Sequence, residues 1–351
     1  MSKMEPVTRI PTQPSEFDST KLILPVVGAV SFVHLLNDLI QAVLPSIYPM
    51  LKADYSLTFT QVGLITLVFQ LTASVLQPGI GFYTDKHPKP YLLPFGMLFT
   101  LVGLIMLSFV NSFAWILIAS AFIGLGSSAF HPEASRIART ASGGRFGFAQ
   151  AFFQVGGNSG SALGPLLAAA VIIPRGQASI AWFTIFAVIG IIVLFNVSRW
   201  VIRTHAALKT SGKLQRQSNL SHKQLVGALS VLALLVFSKY VYMTCLSNYY
   251  TFYLIEKFHQ PVASAQLFLF LFLAAVAVGT FAGGPIGDRI GRKLLLWISI
   301  LGVAPFTLML PYCNLFWTGV VTVFIGLVLS SAFSAIIVFA QELVPGKVGL
   351  I

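Results

Sequence analysis

The sequence predicts an all-α polytopic membrane protein, and three observations support this. Hydrophobic residues make up 56% of the chain and charged residues only 9%, whereas a soluble domain carries about 25% charged residues. The mean hydropathy is +0.84. Apolar runs of helix length recur along the chain, and because peptide groups in hydrocarbon must be hydrogen-bonded internally, these runs are expected to form helices rather than open sheets.

The apolar runs define ten predicted helices. They cover residues 22–50, 58–83, 91–110, 113–135, 148–173, 179–200, 225–254, 263–286, 294–312 and 316–341. The first run is too long for a signal peptide, contains Asp38 and is not followed by a small-residue cleavage site, so it is predicted to stay in the protein. Residues 1–21 are polar and contain proline, which predicts a disordered cytoplasmic tail.

Positive charge is distributed unevenly between the two ends of these helices. If the N-terminus lies in the cytoplasm, 18 of the 22 lysines and arginines fall on the cytoplasmic side and three on the other side, while Lys239 lies within a helix. This positive-inside bias predicts a cytoplasmic N-terminus. The net charge of +12 therefore reflects topology and contact with the lipid bilayer rather than binding to nucleic acid.

Short motifs recur in the same order in the two halves of the chain. GFYTDKHPK at 81–89 returns as GPIGDRIGRK at 284–293, and SSAF at 127–130 returns at 330–333, both with an offset of 203 positions. The repeats predict two parallel helical bundles. The predicted domains are a six-helix bundle at 22–202, a basic cytoplasmic linker at 203–223 and a second bundle at 224–351.

The duplicated G-x-x-x-D-[RK]-x-x-[RK] loops, the twofold pattern and the basic linker resemble the major facilitator superfamily. The second loop matches the signature of that family fully, whereas Pro88 and Pro90 interrupt the first copy. The resemblance implies a small-molecule transporter of the bacterial inner membrane, expected to be monomeric, to need no cofactor and to use a proton gradient. It also implies twelve helices, so two helices are expected to be missing after the tenth.

Polar residues line one face of the first predicted helix. His34, Asn37, Asp38 and Gln41 are spaced by three or four positions, and Tyr48 continues the stripe. Polar groups at membrane depth are costly and usually face a cavity or one another. We predict that Asp38 binds the coupling proton and that the other members contact substrate, namely His34, Asn37 and Gln41. The alternative is a seam of hydrogen bonds that only joins helices.

The seventh helix carries a cation and several tyrosines on one face. Lys239 lies near the middle of the predicted span, too far from either surface to reach water easily, and therefore needs an anion. That anion is Asp38, another carboxylate or the substrate. Lys239, Tyr242 and Tyr250 are predicted to bind substrate, and the structural alternative is a permanent bridge between Lys239 and Asp38.

The fourth helix ends in SSAFHPEASRIAR at 127–139. Anchoring by the positive-inside rule explains the position of Arg139 at the cytoplasmic end of the helix. For Arg136 the same anchoring is an alternative to a functional role. The second-half copy, SSAFSAIIVFAQEL, replaces His131, Glu133 and Arg136 with uncharged residues, which indicates more than the end of a membrane helix. We predict that these three face the cavity, His131 and Arg136 as substrate-binding residues and Glu133 as a second proton site.

The fifth helix combines small residues with a polar edge. Its glycines recur every four residues, the spacing that lets two helices approach closely. The residues predicted to pack are Gly156, Gly160, Gly164 and Pro165. This G-x-x-x-G-P segment resembles the motif that family antiporters carry on the same helix, which implies export by antiport, and ordinary packing is the alternative. Gln154 and Asn158 are predicted substrate contacts.

The duplicated loops are predicted to latch the cytoplasmic side. Their acidic residues can cap helix N-termini, and their basic residues can pair with acids in one conformation and lose them in the other. The predicted gating residues are Asp85, Lys86, Asp288, Arg289, Arg292 and Lys293. Anchoring to the membrane surface is the alternative for the first copy.

The resemblance implies export of a small molecule in exchange for protons by alternating access, and the cationic side chains on these helices favour an anionic substrate. The sequence contains no G-x-x-x-x-G-K-[ST] loop, which favours an ion gradient over ATP as the energy source. A proton-linked transporter of an organic anion or sugar phosphate is the alternative, since import and export share fold and cavity. An intramembrane enzyme is disfavoured because neither H-E-x-x-H nor G-x-S-x-G occurs, and no metal site is predicted.

Overall fold

The structure of the chain, a computed structural model, describes residues 21–87, 89–208, 222–333 and 336. At some positions within these ranges only the backbone is described, and they include Asp85, Lys86, Asp288 and Arg292. Over the described ranges the chain forms helices joined by short connections and contains no strand. The predicted all-α class is confirmed.

Ten apolar helices follow one another through the described part of the chain, and nine of them are long and apolar enough to span a membrane. The first six are α1 (Leu24–Ser46), α2 (Phe59–Thr84), α3 (Leu92–Phe109), α4 (Phe113–Thr140), α5 (Phe148–Arg175) and α6 (Gln177–Thr204). They are followed by α7 (Lys223–Phe258), α8 (Val262–Gly283), α9 (Lys293–Tyr312) and the shorter α10 (Leu315–Ser331). Each predicted run overlaps one of these ten helices over the residues that the structure describes.

The first helix ends earlier than the sequence predicts. The predicted run continues to residue 50, but α1 stops at Ser46, directly after Pro45, and a separate short helix spans Tyr48–Asp54. Proline has no N–H group for the helical hydrogen bond, which favours a break here. Tyr48 therefore leaves the polar stripe of α1; it is buried, and its hydroxyl group lies 2.8 Å from Oγ1 of Thr66 in α2.

The N-terminal half is organised around the contact between α1 and α5. Three of the four glycines of α5, the ones that recur every four residues, lie against the backbone of α1: a Cβ on Gly160 would lie 2.9 Å from the main-chain nitrogen of Leu39, and a Cβ on Gly164 would lie 2.5 Å from Cβ of Ala42. Lipid is as apolar as a leucine side chain, so close packing rather than the hydrophobic effect holds helices together in a bilayer. The small residues make this packing possible.

Equivalent interruptions occur in the two halves. Helix α4 is broken after Ser128, where Ala129 forms a turn before the helix resumes at Phe130, and α10 ends at Ser331 with a turn at Ala332. The two alanines are 203 positions apart, the same offset as the SSAF repeat. Pro132 occurs only in the first copy, so the interruption is a property of the repeat rather than of that proline.

The described contacts between the two halves include a group near the C-terminal end of α1. Gln266 of α8 donates a hydrogen bond to the main-chain oxygen of Ser46. The rings of Phe59 in α2 and Phe252 in α7 meet edge to face, with 5.2 Å between their centroids. By contrast, the first part of α7 carries exposed apolar side chains such as Phe237. The end of α7 thus packs against the N-terminal half, whereas its beginning is largely uncovered.

Candidate functional site

The polar stripe of α1 forms one group centred on Asp38. Oδ1 of Asp38 accepts hydrogen bonds from the amide groups of Asn37 at 3.0 Å and Gln41 at 3.4 Å. Its Oδ2 lies 3.3 Å from Nε2 of His34. His34 and Asn37 are buried, whereas 19% of the Asp38 side chain is exposed. The carboxylate is therefore held by its neighbours and still accessible.

Helix α4 brings His131 to the same carboxylate. Nε2 of His131 lies 3.9 Å from Oδ1 of Asp38, and its ring meets that of His34 edge to face, with 5.1 Å between the centroids. The His131 side chain is 31% exposed. His131 is thus the most accessible of the three ionisable side chains, and we call His34, Asp38 and His131 the α1–α4 cluster.

Helix α5 fixes the orientation of His34. Nδ1 lies 2.8 Å from the main-chain oxygen of Phe153, and the imidazole stacks on the Phe153 ring with 4.0 Å between centroids. One turn later, Gly157 lies so close that a Cβ would be 2.7 Å from Oδ2 of Asp38 and would overlap the His34 ring. The cluster fits against α5 because residue 157 has no side chain.

The ligand atoms of the α1–α4 cluster lie within 4.8 Å of one another, a spacing that a cation could bridge. Structural zinc sites usually have four protein ligands, and among the described residues no further histidine, cysteine or carboxylate joins this group. Oδ1 of Asp38 already accepts two amide hydrogen bonds. We therefore interpret the cluster as a hydrogen-bonded group of ionisable side chains rather than a metal site.

Glu133 and Arg136 form a second ionic contact on α4. Oε1 of Glu133 lies 3.0 Å from Nη1 of Arg136, and Nη2 of Arg136 donates a hydrogen bond to Oγ1 of Thr84 in α2 at 3.2 Å. Only 6% of Glu133 is exposed. In this conformation the Glu133 carboxylate is buried and paired with Arg136, whose side chain joins α4 to α2. A role for Glu133 as a second proton site stays a prediction.

Replacing Glu133 with glutamine is expected to destabilise the protein, because the guanidinium group of Arg136 would lose its carboxylate partner. We expect the free energy of unfolding to fall by about 1–3 kcal/mol, seen as a lower midpoint of thermal unfolding in detergent. The control is the double variant Glu133→Gln with Arg136→Gln, which removes both charges and should lose less than the sum of the single losses. Additive losses would show that the two side chains are not coupled.

Lys239 is directed into the C-terminal half. It is 8% exposed, and its Nζ donates a hydrogen bond to Oγ of Ser299 in α9 at 2.5 Å. That hydroxyl group donates in turn to the main-chain oxygen of Leu329 in α10 at 2.9 Å. Among the described residues no carboxylate pairs with Lys239. A bridge to Asp38 is therefore absent in this conformation, and a hydroxyl group takes the place of the expected anion.

The tyrosine hydroxyl groups of α7 are also bonded within the C-terminal half. Tyr242 lies 2.6 Å from Oγ1 of Thr307 in α9, and Tyr250 lies 2.9 Å from Oγ1 of Thr322 in α10. Tyr250 is 2% exposed, so it offers no surface to a substrate in this conformation, whereas Tyr242 is partly exposed. Tyr242 is thus the better placed of the two predicted tyrosines.

Two further predicted residues of α5 are next in sequence to residues that contact the cluster. Gln154 directly follows Phe153, Asn158 directly follows Gly157, and both are partly exposed. Pro165 precedes an irregular turn of the helix at Ala168–Ile172.

The predicted gating residues lie mostly outside the side chains that the structure describes. This applies to Asp85, Lys86, Asp288 and Arg292, whereas Arg289 and Lys293 are exposed. The cytoplasmic latch stays a prediction.

Three contacts at these sites are missed by the sequence analysis. They involve Gly157, the main-chain oxygen of Phe153 and the hydroxyl group of Ser299. The doubled glycine at 156–157 is a signal for the first contact, since a second adjacent glycine is not needed for a four-residue packing repeat. The other two have no local signal, because they depend on which helix lies alongside.

Comparisons with known proteins identify the class of protein. The profile of the Major Facilitator Superfamily matches residues 30–351, and the chain belongs to this family of transporters. Its fold agrees with solved members. A D-xylose-proton symporter superposes with a TM-score of 0.72 at 16% identity, covering 94% of this chain and 85% of the symporter. A bacterial homologue of the human lysosomal transporter Spinster, inward-facing and occupied, gives 0.68 at 17% identity, covering 90% of this chain and 74% of the homologue.

Two relatives are much closer in sequence. The chain is 56% identical to the fosmidomycin resistance protein of Escherichia coli (strain K12) over 326 residues, which are 93% of this chain and 80% of that protein. It is 41% identical to the uncharacterized MFS-type transporter YfnC of Bacillus subtilis (strain 168), covering 93% of this chain and 81% of that protein. The chain is therefore a multi-pass membrane transporter of small molecules rather than an enzyme.

Proposed function

We propose that this transporter exports small anionic molecules, with fosmidomycin as the first candidate, across the bacterial inner membrane in exchange for protons. The observation that carries the proposal is the α1–α4 cluster, in which His34 is buried while Asp38 and His131 are partly exposed. It lies in a chain 56% identical to the fosmidomycin resistance protein of Escherichia coli. Ionisable groups at membrane depth are costly and mark ion or proton pathways in transporters.

Asp38 is the proposed proton site. Its carboxylate is partly exposed and sits between two histidines and two amide groups, so a change in its surroundings alters the balance between its charged and neutral forms. Glu133, the second predicted proton site, is paired with Arg136. That pairing favours Asp38 as the principal site and supports a positioning role for Glu133.

The proposed transport cycle is alternating access by rocking of the two bundles. The described contacts at the end of α1, through Ser46, Gln266 and the Phe59–Phe252 ring pair, support closure on the side away from the N-terminus. With the N-terminus in the cytoplasm, that side is the periplasm, and we propose that the cluster is reached from the cytoplasm in this state. The predicted latch of Asp288, Arg289, Arg292 and Lys293, with Asp85 and Lys86, would close the other side in the second state.

Cations on both halves support an anionic substrate. Arginine and lysine bind phosphonate groups through charge-assisted hydrogen bonds, and fosmidomycin is a small phosphonate. Lys239 is the proposed cation of the C-terminal half, where a substrate anion would replace the hydroxyl group of Ser299. The other proposed substrate contacts are His131, Arg136, Asn37, Gln41, Gln154, Asn158 and Tyr242. The proton gradient supplies the energy and no cofactor is needed; the transporter is proposed to act as a monomer.

Expression of the gene in a fosmidomycin-sensitive bacterial host tests this function. We expect a raised minimal inhibitory concentration for fosmidomycin, and collapse of the proton gradient with an uncoupler should abolish the reduced accumulation of the drug. A host carrying the empty vector is the control. Unchanged sensitivity together with proton-linked uptake of an organic anion or sugar phosphate would instead identify a metabolite transporter.

A further inference from the structure

The contacts of His34 determine where its ring proton lies. Nδ1 is 2.8 Å from the main-chain oxygen of Phe153, and a carbonyl oxygen can only accept a hydrogen bond, so Nδ1 carries a hydrogen. A neutral imidazole with its hydrogen on Nδ1 has a bare Nε2. That nitrogen lies 3.3 Å from Oδ2 of Asp38. Without a further proton, two acceptor atoms with lone pairs would face each other.

One additional proton resolves this conflict. It resides either on Nε2, giving an imidazolium beside a carboxylate, or on Oδ2, giving a neutral imidazole beside a carboxylic acid. The heavy atoms are arranged alike in the two forms. We propose that His34 and Asp38 together, rather than Asp38 alone, bind the coupling proton as one shared proton between Nε2 and Oδ2. This inference rests on the proposed function and assigns His34 to proton binding rather than to substrate.

The packing around the pair favours this arrangement. The amide groups of Asn37 and Gln41 donate to Oδ1 of Asp38, which leaves Oδ2 for His34. Gly157 closes the side towards α5, where a Cβ would be 2.7 Å from Oδ2. His34 is 3% exposed and stacked on the ring of Phe153, so its ring cannot turn away without disturbing the contact between α1 and α5.

Among the described residues, two helices contribute ionisable side chains near the pair of His34 and Asp38. Helix α4 contributes His131, 3.9 Å from Oδ1 of Asp38. Helix α7 contributes the hydroxyl group of Tyr240, which interacts electrostatically with Asp38. The charged residues of α5 and α6 lie at the helix ends, at Arg175, Arg199 and Arg203. The described surroundings thus add a histidine and a tyrosine but no second carboxylate beside the pair.

Loss of the shared proton changes the interaction between His34 and Asp38. Nε2 and Oδ2 then repel each other, and because the His34 ring is fixed by α5, the mobile partner is the Asp38 carboxylate. It is 19% exposed and already lies near the more accessible His131. Deprotonation therefore moves the carboxylate away from α5 and towards His131 of α4, which links proton release to a change in helix contacts.

Nitrogen-15 NMR of histidine-labelled protein in detergent tests the shared proton without any transport measurement. The chain has six histidines, and His34→Gln identifies the signals of His34. Between about pH 5 and pH 9 we expect Nδ1 of His34 to stay protonated while Nε2 shows one titration. In Asp38→Asn this titration should be lost, with Nε2 bare throughout, because the introduced amide can donate to it. His259→Asn, in a loop, is the control and should leave the titration of His34 unchanged.

Two outcomes would overturn the inference. One is a hydrogen on Nε2 and a bare Nδ1 of His34 in the unmodified protein. This measurement does not depend on the folding of any variant. The other is a His34 titration that Asp38→Asn does not change. The readout also separates this inference from the proposed function. If the spectra are as expected but the protein does not transport fosmidomycin, the shared proton is supported and fosmidomycin is rejected as the substrate. If the protein exports fosmidomycin in exchange for protons but the spectra differ from those expected, only the shared proton is rejected.

Discussion

Replacing Asp38 with asparagine is expected to abolish proton-coupled export while the folded protein still inserts into the membrane. The amide has nearly the shape of the carboxylate and can accept from Asn37 and Gln41 and donate to His34, so the hydrogen bonds around it are kept. It cannot bind and release a proton in the physiological range. Without a proton to exchange, the pH gradient no longer drives the drug outwards, so we expect drug export to fall to the level of cells that carry the empty vector.

Drug accumulation in energised cells, normalised to the amount of inserted protein, measures this effect. The matched control is Asp54→Asn, the same chemical change at an exposed residue at the end of the short helix Tyr48–Asp54, and it should export as well as the unmodified protein. Full resistance in cells that carry Asp38→Asn would remove Asp38 from the coupling mechanism.

Replacing Gly160 with valine is expected to prevent the normal packing of α1 against α5. A Cβ at this position would already lie 2.9 Å from the main-chain nitrogen of Leu39 and would overlap the main chain at Leu35. Backbone atoms cannot move aside as a flexible side chain can, so the two helices must separate. Overpacking of a well-packed interior costs about 1–3 kcal/mol, and a branched side chain against backbone is expected at or above the upper end.

Thermal unfolding of the purified protein in detergent, together with the yield of monodisperse protein, measures this loss. Gly28→Val is the matched control, because Gly28 lies on α1 and a Cβ added there would have no neighbouring heavy atom within 4 Å. We expect a clearly lower midpoint for Gly160→Val and little change for Gly28→Val. Equal midpoints for the two variants would show that α1 and α5 are not in close contact at Gly160.

Much of the fold follows from spacing along the chain. Apolar runs of helix length predict the helices. The 203-residue offset between repeated motifs predicts equivalent positions in the two halves, and the turns at Ala129 and Ala332 lie at such a pair of positions. The length of α1 is predicted less well, because the helix breaks directly after a proline although the apolar run continues. Pro45 is followed by a break, whereas Pro165 lies within a continuing helix, and only the surrounding packing distinguishes the two.

The candidate site is predicted in part for a similar reason. Helical periodicity places His34, Asp38 and Gln41 on one face, and they do form one hydrogen-bonded group. Periodicity contains no information about which neighbouring helix supplies a partner. The serine that bonds Lys239 is 60 positions away, and the carbonyl that orients His34 is 119 positions away. A charged side chain within an apolar helix thus indicates that a hydrogen-bonding partner is needed, but the packing of the helices decides which group is that partner.

Flux in proteoliposomes measures whether protons pass through Asp38 in exchange for substrate. Purified protein is reconstituted with a pH-sensitive dye inside the vesicles, and fosmidomycin is added on one side. We expect an imposed pH gradient to drive fosmidomycin against its concentration gradient while protons move in the opposite direction, and Asp38→Asn to abolish both movements. Fosmidomycin flux that is independent of the pH gradient, or proton movement that persists in Asp38→Asn, would contradict this expectation.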